Sequence, residues 1–367
     1  MENTFDLMAR EGNPRNSEGA FVQLKNGNIL FVYTRYDGPS YHDHAAASLH
    51  GCISSDGGRS WADAGKIIDR GDADNVMSVS LLRLRNGRIL LTFLEKRNTA
   101  TEHPECIPMR CFSDDECKTW TAPEPVTPRH EYFVVNNDRL RQLSSGRLVL
   151  PVCVYPDGFK EVPSYLAVWY SDDMGKSWRA SEVIPPCAAP PRPEPYAAES
   201  GWSEICRYPY REQEPGVEEC ADGTLFYYCR TYLGCMYGAW SRDRGRTFTE
   251  LEPLRDIISP VAPQSIRREP GTSRLWCVFN DRSHVTFGDA SKFWGWRTPL
   301  ALSYSDDNGH SWTKYQQIED ESHNYCYTSM TFLGKTLLLT YYESENCADG
   351  LHRRNLASLK VQTVELP

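Results

Sequence analysis

No stretch of this 367-residue chain is apolar for the roughly twenty residues that a bilayer-spanning helix needs. The N-terminus, MENTFDLMAREGNP, lacks the basic stretch and apolar core of a secretory signal. The expected compartment is therefore cytoplasmic, or secreted or periplasmic if a leader has been removed. Positive charge is in short supply. With 40 Lys and Arg against 49 Asp and Glu, the net charge is −9, which disfavours nucleic acid and anionic membranes as partners. An anionic small substrate would then need a local basic pocket. Metal-ligand spacing is missing too. Cys106, Cys111 and Cys117 cluster without a C-x-x-C pair or a paired His set, so no metal and no cofactor are expected. The 13 cysteines are odd in number, and several (Cys52, Cys153, Cys229, Cys277) fall mid-strand, so they read as reduced, mostly buried thiols.

What the chain does have is repetition. One motif occurs five times: SSDGGRSW (54–61), SDDECKTW (113–120), SDDMGKSW (171–178), SRDRGRTF (241–248) and SDDNGHSW (305–312). The second copy has Cys117 in the glycine position, and the fourth ends in Phe248 in place of Trp. Each copy reads as a tight turn. The Asp caps backbone N–H groups, the Gly supplies a positive φ, and the aromatic anchors the turn. These Asp residues are turn formers, and no copy has the alternate ligands and closing Glu of a calcium loop.

A second repeat interleaves with the first. Apolar strand, Gly-containing turn and apolar strand recur at 21–33, 80–93, 139–152, 217–228, 265–279 and 330–342. In the first five units the hairpin precedes an Asp turn; in the sixth, a closing strand is expected at 356–366. The expected fold is all-β, a single domain over 1–367. It is a six-bladed propeller with four-stranded antiparallel blades and five Asp turns. Two long segments, 184–202 (Pro-rich) and 280–296 (aromatic-rich), read as pocket walls or contact surfaces. Their Trp202, Phe293 and Trp294 could stack on a sugar or bury a homo-oligomer contact.

In such a blade the hairpins and Asp turns share one end. Function then belongs at the other, just before each first strand and just after each second strand. Before first strands stand Arg15, Glu18, Asp74, Asn75, Asn137, Asp138, Glu214 and Tyr327. After second strands stand Arg35, Asp37, Asp43, Glu95, Arg97, Arg230, Asp281, Arg282 and Glu343, and Arg297 opens a third strand. Converging arginines suit a carboxylate, which guanidinium groups bind in bidentate fashion. For any one Arg, a surface ion pair is the plain alternative.

At this point the chain resembles the sialidase (neuraminidase) superfamily, six-bladed propellers that carry these Asp boxes, over nearly its whole length. The resemblance implies three arginines on a substrate carboxylate. Arg15, in NPRNSEGAFVQL, takes the first place by position alone, since the usual Phe-Arg-Ile-Pro is absent. Arg230, in YYCRT, takes the second and Arg297, in WRTPLALSYSDDNGHSW, the third. Tyr327, in CYTSMTFLGKTLLLTYYE, would be the nucleophile and Glu214 its base, with Glu343 steadying Arg15. The loop RYDGPSYHDHAAASL (35–49) offers Asp37 or Asp43 as general acid, with Asp43 preferred, Arg35 beside it, and His42 and His44 flanking it. Asp138 or Arg139 would contact distal sugar substituents, or else form an ion pair inside the third unit. The function implied is a retaining exo-α-sialidase acting on a sialic acid. The alternatives are a glycosidase for another 2-keto-ulosonic acid and a non-catalytic carbohydrate-binding propeller.

Overall fold

The computed structural model describes residues 2–156, 163–189, 212–284, 296–345 and 356–367, and these contain only strands, turns and loops. Strand β1 (Glu2–Leu7) is followed by β2 (Asn16–Gln23), β3 (Ile29–Tyr36), β4 (Ala47–Ser54) and β5 (Ala62–Ile68). Next come β6 (Asn75–Arg83), β7 (Ile89–Arg97), β8 (Glu105–Ser113), β9 (Glu124–Pro125), β10 (Tyr132–Val134), β11 (Arg141–Gln142), β12 (Leu148–Tyr155), β13 (Tyr165–Ser171) and β14 (Arg179–Ala180). Then follow β15 (Glu212–Glu219), β16 (Leu225–Thr231), β17 (Cys235–Ser241) and β18 (Glu252–Ile258), with β19 (Ser265–Arg268), β20 (Leu275–Asn280), β21 (Leu300–Ser305) and β22 (Thr313–Glu319) after them. The chain closes on β23 (His323–Leu333), β24 (Thr336–Glu345) and β25 (Ala357–Glu365).

These strands form five sheets where the sequence repeats predict six. Three are simple antiparallel meanders, β2–β5, β15–β18 and β19–β22. The second and third repeat units merge into one nine-stranded sheet. The cause is local: β10 pairs antiparallel with β12 and also meets β8 in parallel through a single pair, Tyr132 with Cys106. The last sheet runs β1-β25-β24-β23, so the strand expected at 356–366 is present and the N-terminal strand is its outer neighbour. Strands of neighbouring sheets touch. β2 packs on β6, β12 on β15, β15 on β19, β19 on β23, and β23 back on β2.

Core residues lie between sheets. Val32 of the first packs with Leu91 of the second, Phe226 with Cys277, and Phe31 with Leu338. Sandwiching on both faces explains why β12, LVLPVCVY, is buried at every position. Eleven cysteines are described, and all but Cys117 are buried.

The Asp turns are built alike. In the first, Ser54 Oγ donates to Asp56 Oδ1 at 2.8 Å and accepts from the Gly58 amide, while Asp56 caps the amides of Arg59 and Ser60. Trp61 Nε1 then donates to the Gly58 carbonyl at 3.0 Å. The glycine slot has φ between 81° and 92° in four copies, and Cys117 adopts 66° in the fifth. The turn-former reading of these aspartates accounts for every contact they make.

Candidate active site

Four of the inner strands break register at one place. The breaks fall between Ser17 and Ala20, Met77 and Ser80, Gln213 and Gly216, and Cys326 and Ser329. Each break holds one non-glycine residue at positive φ: Glu18 (57°), Ser78 (59°), Glu214 (45°) and Tyr327 (55°). Asp138 (57°), in the gap between β10 and β11, is the fifth. Such bulges re-aim a side chain, and left-handed backbone at a non-glycine costs about 1–3 kcal/mol, so the surroundings must hold it. After the first bulge, Gly19 lets the chain pass against Phe31, where a Cβ would lie 2.3 Å from the ring.

Four of these five residues, all but Asp138, line one cleft of about 190 Å³, with Asp43, Lys96, Arg230 and the apolar wall of Met77, Leu94, Val134 and Tyr155. Tyr327 Oη donates to Glu214 Oε1 at 3.4 Å. Glu214 Oε2 lies 2.9 Å from Arg230 Nη1, an ion pair outside hydrogen-bond geometry. Arg230 Nη2 donates to Gln213 at 2.5 Å, and its Nε has no hydrogen-bond partner among the described residues. Arg15 is 3% exposed. It donates from Nη1 to Asp43 Oδ1 at 2.5 Å and from Nη2 to Glu18 Oε1 at 3.3 Å, and lies over the Tyr36 ring at 4.7 Å. Arg297 is buried, with Nη1 2.9 Å from Cys326 Sγ and 3.2 Å from Tyr342 Oη, and its guanidinium sits 5.5 Å from the Tyr327 ring centre. Three guanidinium groups therefore surround one phenol and its carboxylate partner. Burial pushes the Glu18 carboxyl up to about 7, against the pull of Arg15 and with Asp43 adding to the rise.

Arg15, Arg230, Arg297, Glu214, Tyr327 and Asp43 thus come together from four of the five sheets. Other expected members do not join them. Glu343 pairs with Lys360 at 2.6 Å, and the carboxylates beside Arg15 are Asp43 and Glu18. Arg35 turns to the other side of β3, against β1 and Trp61, and its Nε lies 3.6 Å from Asp37, not beside Asp43. Asp138 is buried in an ion cluster with Arg267 and Arg141 and accepts from Ser329 Oγ at 3.0 Å. Arg139 spans the centre, donating to the carbonyls of Pro215 (3.0 Å) and Gln264 (2.5 Å). Both are packing elements here, held away from the cleft by saturated contacts. Trp202, Phe293 and Trp294 lie outside the described residues.

Two cleft residues had no role in the sequence reading. Lys96 is 4% exposed and donates to the Asp43 carbonyl at 2.8 Å, pinning the loop that carries the carboxylate. Glu18 stood among the residues before first strands without a task. Its signal was available: Glu18, Ser78 and Glu214 each stand nine residues ahead of a hairpin glycine, Gly27, Gly87 and Gly223.

The family model for the BNR repeat-like domain matches residues 53–338. The chain belongs to the BNR repeat-like family. The Asp turns are its BNR repeats. No curated protein matches the sequence. Solved structures share the fold at low identity. A protein of unknown function from Dyadobacter fermentans has a TM-score of 0.71 at 16% identity, covering 100% of this chain and 99% of the other. The intramolecular trans-sialidase from Ruminococcus gnavus, in complex with oseltamivir carboxylate, has 0.70 at 14%, covering 99% and 97%. Trypanosoma rangeli sialidase in complex with sialic acid has 0.69 at 16%, covering 96% of this chain and 54% of the other, so this BNR chain spans about half of that protein. At these identities the likeness is one of fold, and activity has to be argued from the cleft.

Proposed function

We propose that this BNR protein is a retaining exo-α-sialidase, a glycoside hydrolase for a terminal sialic acid, built as a six-bladed propeller. Six blades follow if the nine-stranded sheet, joined at the Tyr132–Cys106 pair, counts as two units; the contacts of β2 with β6, β12 with β15, β15 with β19, β19 with β23 and β23 with β2 support that count. The observation that carries the activity is the Tyr327–Glu214 contact at 3.4 Å, enclosed by buried Arg15 and Arg297 and by half-buried Arg230.

A sialic acid carries its carboxylate on the anomeric carbon. A carboxylate nucleophile would be repelled there, whereas a phenol is neutral. Free Tyr ionises near pH ~10, so it needs a base within reach, and Glu214 supplies one. The Tyr327 oxygen attacks the anomeric carbon as its proton passes to Glu214. The glycosidic bond breaks as Asp43, protonated, gives its proton to the leaving oxygen. Water, deprotonated by Asp43, then cleaves the Tyr–sugar bond, and Glu214 returns the proton to Tyr327. The arginines hold the substrate carboxylate and fix the ring against the phenol.

The test is hydrolysis of the 4-methylumbelliferyl α-glycoside of N-acetylneuraminic acid. Wild type turns it over, and Tyr327→Phe loses about a thousandfold or more in kcat while still binding the free sugar. Turnover retained in Tyr327→Phe refutes the nucleophile. Turnover only of other 2-keto-ulosonic acid glycosides keeps the clamp and changes the sugar. Binding without turnover of any glycoside leaves a carbohydrate-binding propeller.

A further inference from the structure

Glu18 occupies in the first unit the place that Glu214 and Tyr327 hold in the fourth and last. All three sit at a register break, at positive φ, with the side chain lining the same cleft. The fourth such residue, Ser78, donates its hydroxyl to Glu18 Oε2 at 3.2 Å. Asp138, the fifth, spends its carboxylate on Arg267 and Arg141. Glu18 is therefore the one carboxyl at a bulge that faces the cleft and has no part in the mechanism above.

We infer that Glu18 carries a proton beside the bound substrate, so that an anionic substrate enters the cleft together with one proton. This rests on the carboxylate-clamp reading of Arg15. That guanidinium already holds two carboxylates, Asp43 on Nη1 at 2.5 Å and Glu18 on Nη2 at 3.3 Å. A substrate carboxylate would be the third. Asp43 is 53% exposed, so water can solvate its charge. Glu18 is 2% exposed, and its bulge holds it in place. A fixed, buried carboxylate next to an incoming one has to become neutral, since like charges sharing a site do not both ionise. The groups facing it are Arg15, Asp43, Lys96 from β7 and Glu214 from β15, with the Ser78 hydroxyl from β6. Burial already holds this carboxyl at about 7, within reach of such a linkage. Once protonated, Glu18 gains an O–H donor.

The test is calorimetric. The probe is 2-deoxy-2,3-didehydro-N-acetylneuraminic acid, titrated into the whole protein at pH 8 in two buffers of different ionisation enthalpy. Wild type takes up about one proton, and its affinity falls about tenfold per pH unit above neutrality. Glu18→Gln, which keeps shape and donor but cannot ionise, binds with no proton uptake and no such slope. A purely structural Glu18 would leave the slope in place. An unchanged slope in Glu18→Gln, or no proton uptake by wild type, overturns the proposal. The second result needs no variant to fold. If the sugar analogue does not bind at any pH, the sialidase reading fails. The proton count with benzoate as carboxylate probe then decides Glu18, and binding without uptake, or no binding, overturns it.

Discussion

Lys96 points into the cleft, while its neighbours Glu95 and Arg97 pair with each other outside at 2.7 Å. Strand side chains alternate between faces, so only one of two adjacent residues can reach the site. Because Lys96 pins the Asp43 loop through a charged hydrogen bond, Lys96→Met is expected to lower kcat/KM by about tenfold to a hundredfold in steady-state kinetics. Glu343→Gln, at a residue paired outward with Lys360, is expected to change kcat/KM by less than about twofold. The same parity separates expectation from structure at three strand ends. Sequence reasoning favours the charged residues Arg35, Glu95 or Arg97, and Glu343. The structure turns inward their neighbours Tyr36, which backs Arg15, Lys96, and Tyr342, which meets Arg297. A bulge of one residue resets the parity, and the register break is not readable from strand composition. Asp138 belongs to this scale too. Asp138→Ala leaves Arg267 without its buried partner and Arg141 with Glu218 alone, and is expected to cost about 3–5 kcal/mol in denaturant unfolding.

Among the elements, the Asp turn was the most legible. Its hydrogen bonds run between residues two to four apart, so the local sequence contains all of its partners. Its glycine is required by backbone and by space. Gly309 has φ 89°, and a Cβ there would lie 2.8 Å from the Phe226 ring. Gly309→Ala is expected to destabilise the protein by at least about 1 kcal/mol, read as a fall in Tm, with catalysis unchanged. The turns also set an acid limit. The side-chain and backbone hydrogen bonds of Thr119 hold Asp115 down at about 2, so the folded state binds fewer protons than the unfolded one. Stability from this group is present above the unfolded pKa near ~4 and is lost as pH falls towards 2. Glu18 has the opposite sign: its raised pKa means stability is lost as pH rises from the ordinary carboxylate range through about 7. Unfolding curves should therefore show Glu18→Gln gaining on wild type above pH 7. The third hairpin was the least legible element. Of its expected first strand only Arg141 and Gln142 pair with β12, because the chain just before them is drawn to the centre by Asp138 and Arg139.

On the scale of the whole molecule, β1 lies against β25, a partner more than 350 residues away, and Phe5 stacks on Trp61 of the first sheet at 6.3 Å. The Ala357 amide also donates to the Pro14 carbonyl, one residue before Arg15. Chain ends joined this way clasp the last sheet to the first. Removing residues 2–7 is expected to lower Tm by several degrees and to weaken carboxylate binding at Arg15, measured by scanning calorimetry and ligand titration.

Repetition, turn chemistry and strand pattern are local, and the sequence by itself determined them: an all-β chain, five Asp turns, six hairpin units and the strand ends where polar residues would gather. The family follows from the same repeats. Tertiary structure alone decided which of those polar residues meet. It merged two units into one sheet through a single pair, recruited the N-terminal strand to the last sheet, and used register breaks to aim Glu18, Glu214 and Tyr327 into the cleft. Those outcomes depend on contacts between residues tens to hundreds of positions apart. Packing in three dimensions sets them, and no window of sequence contains both partners.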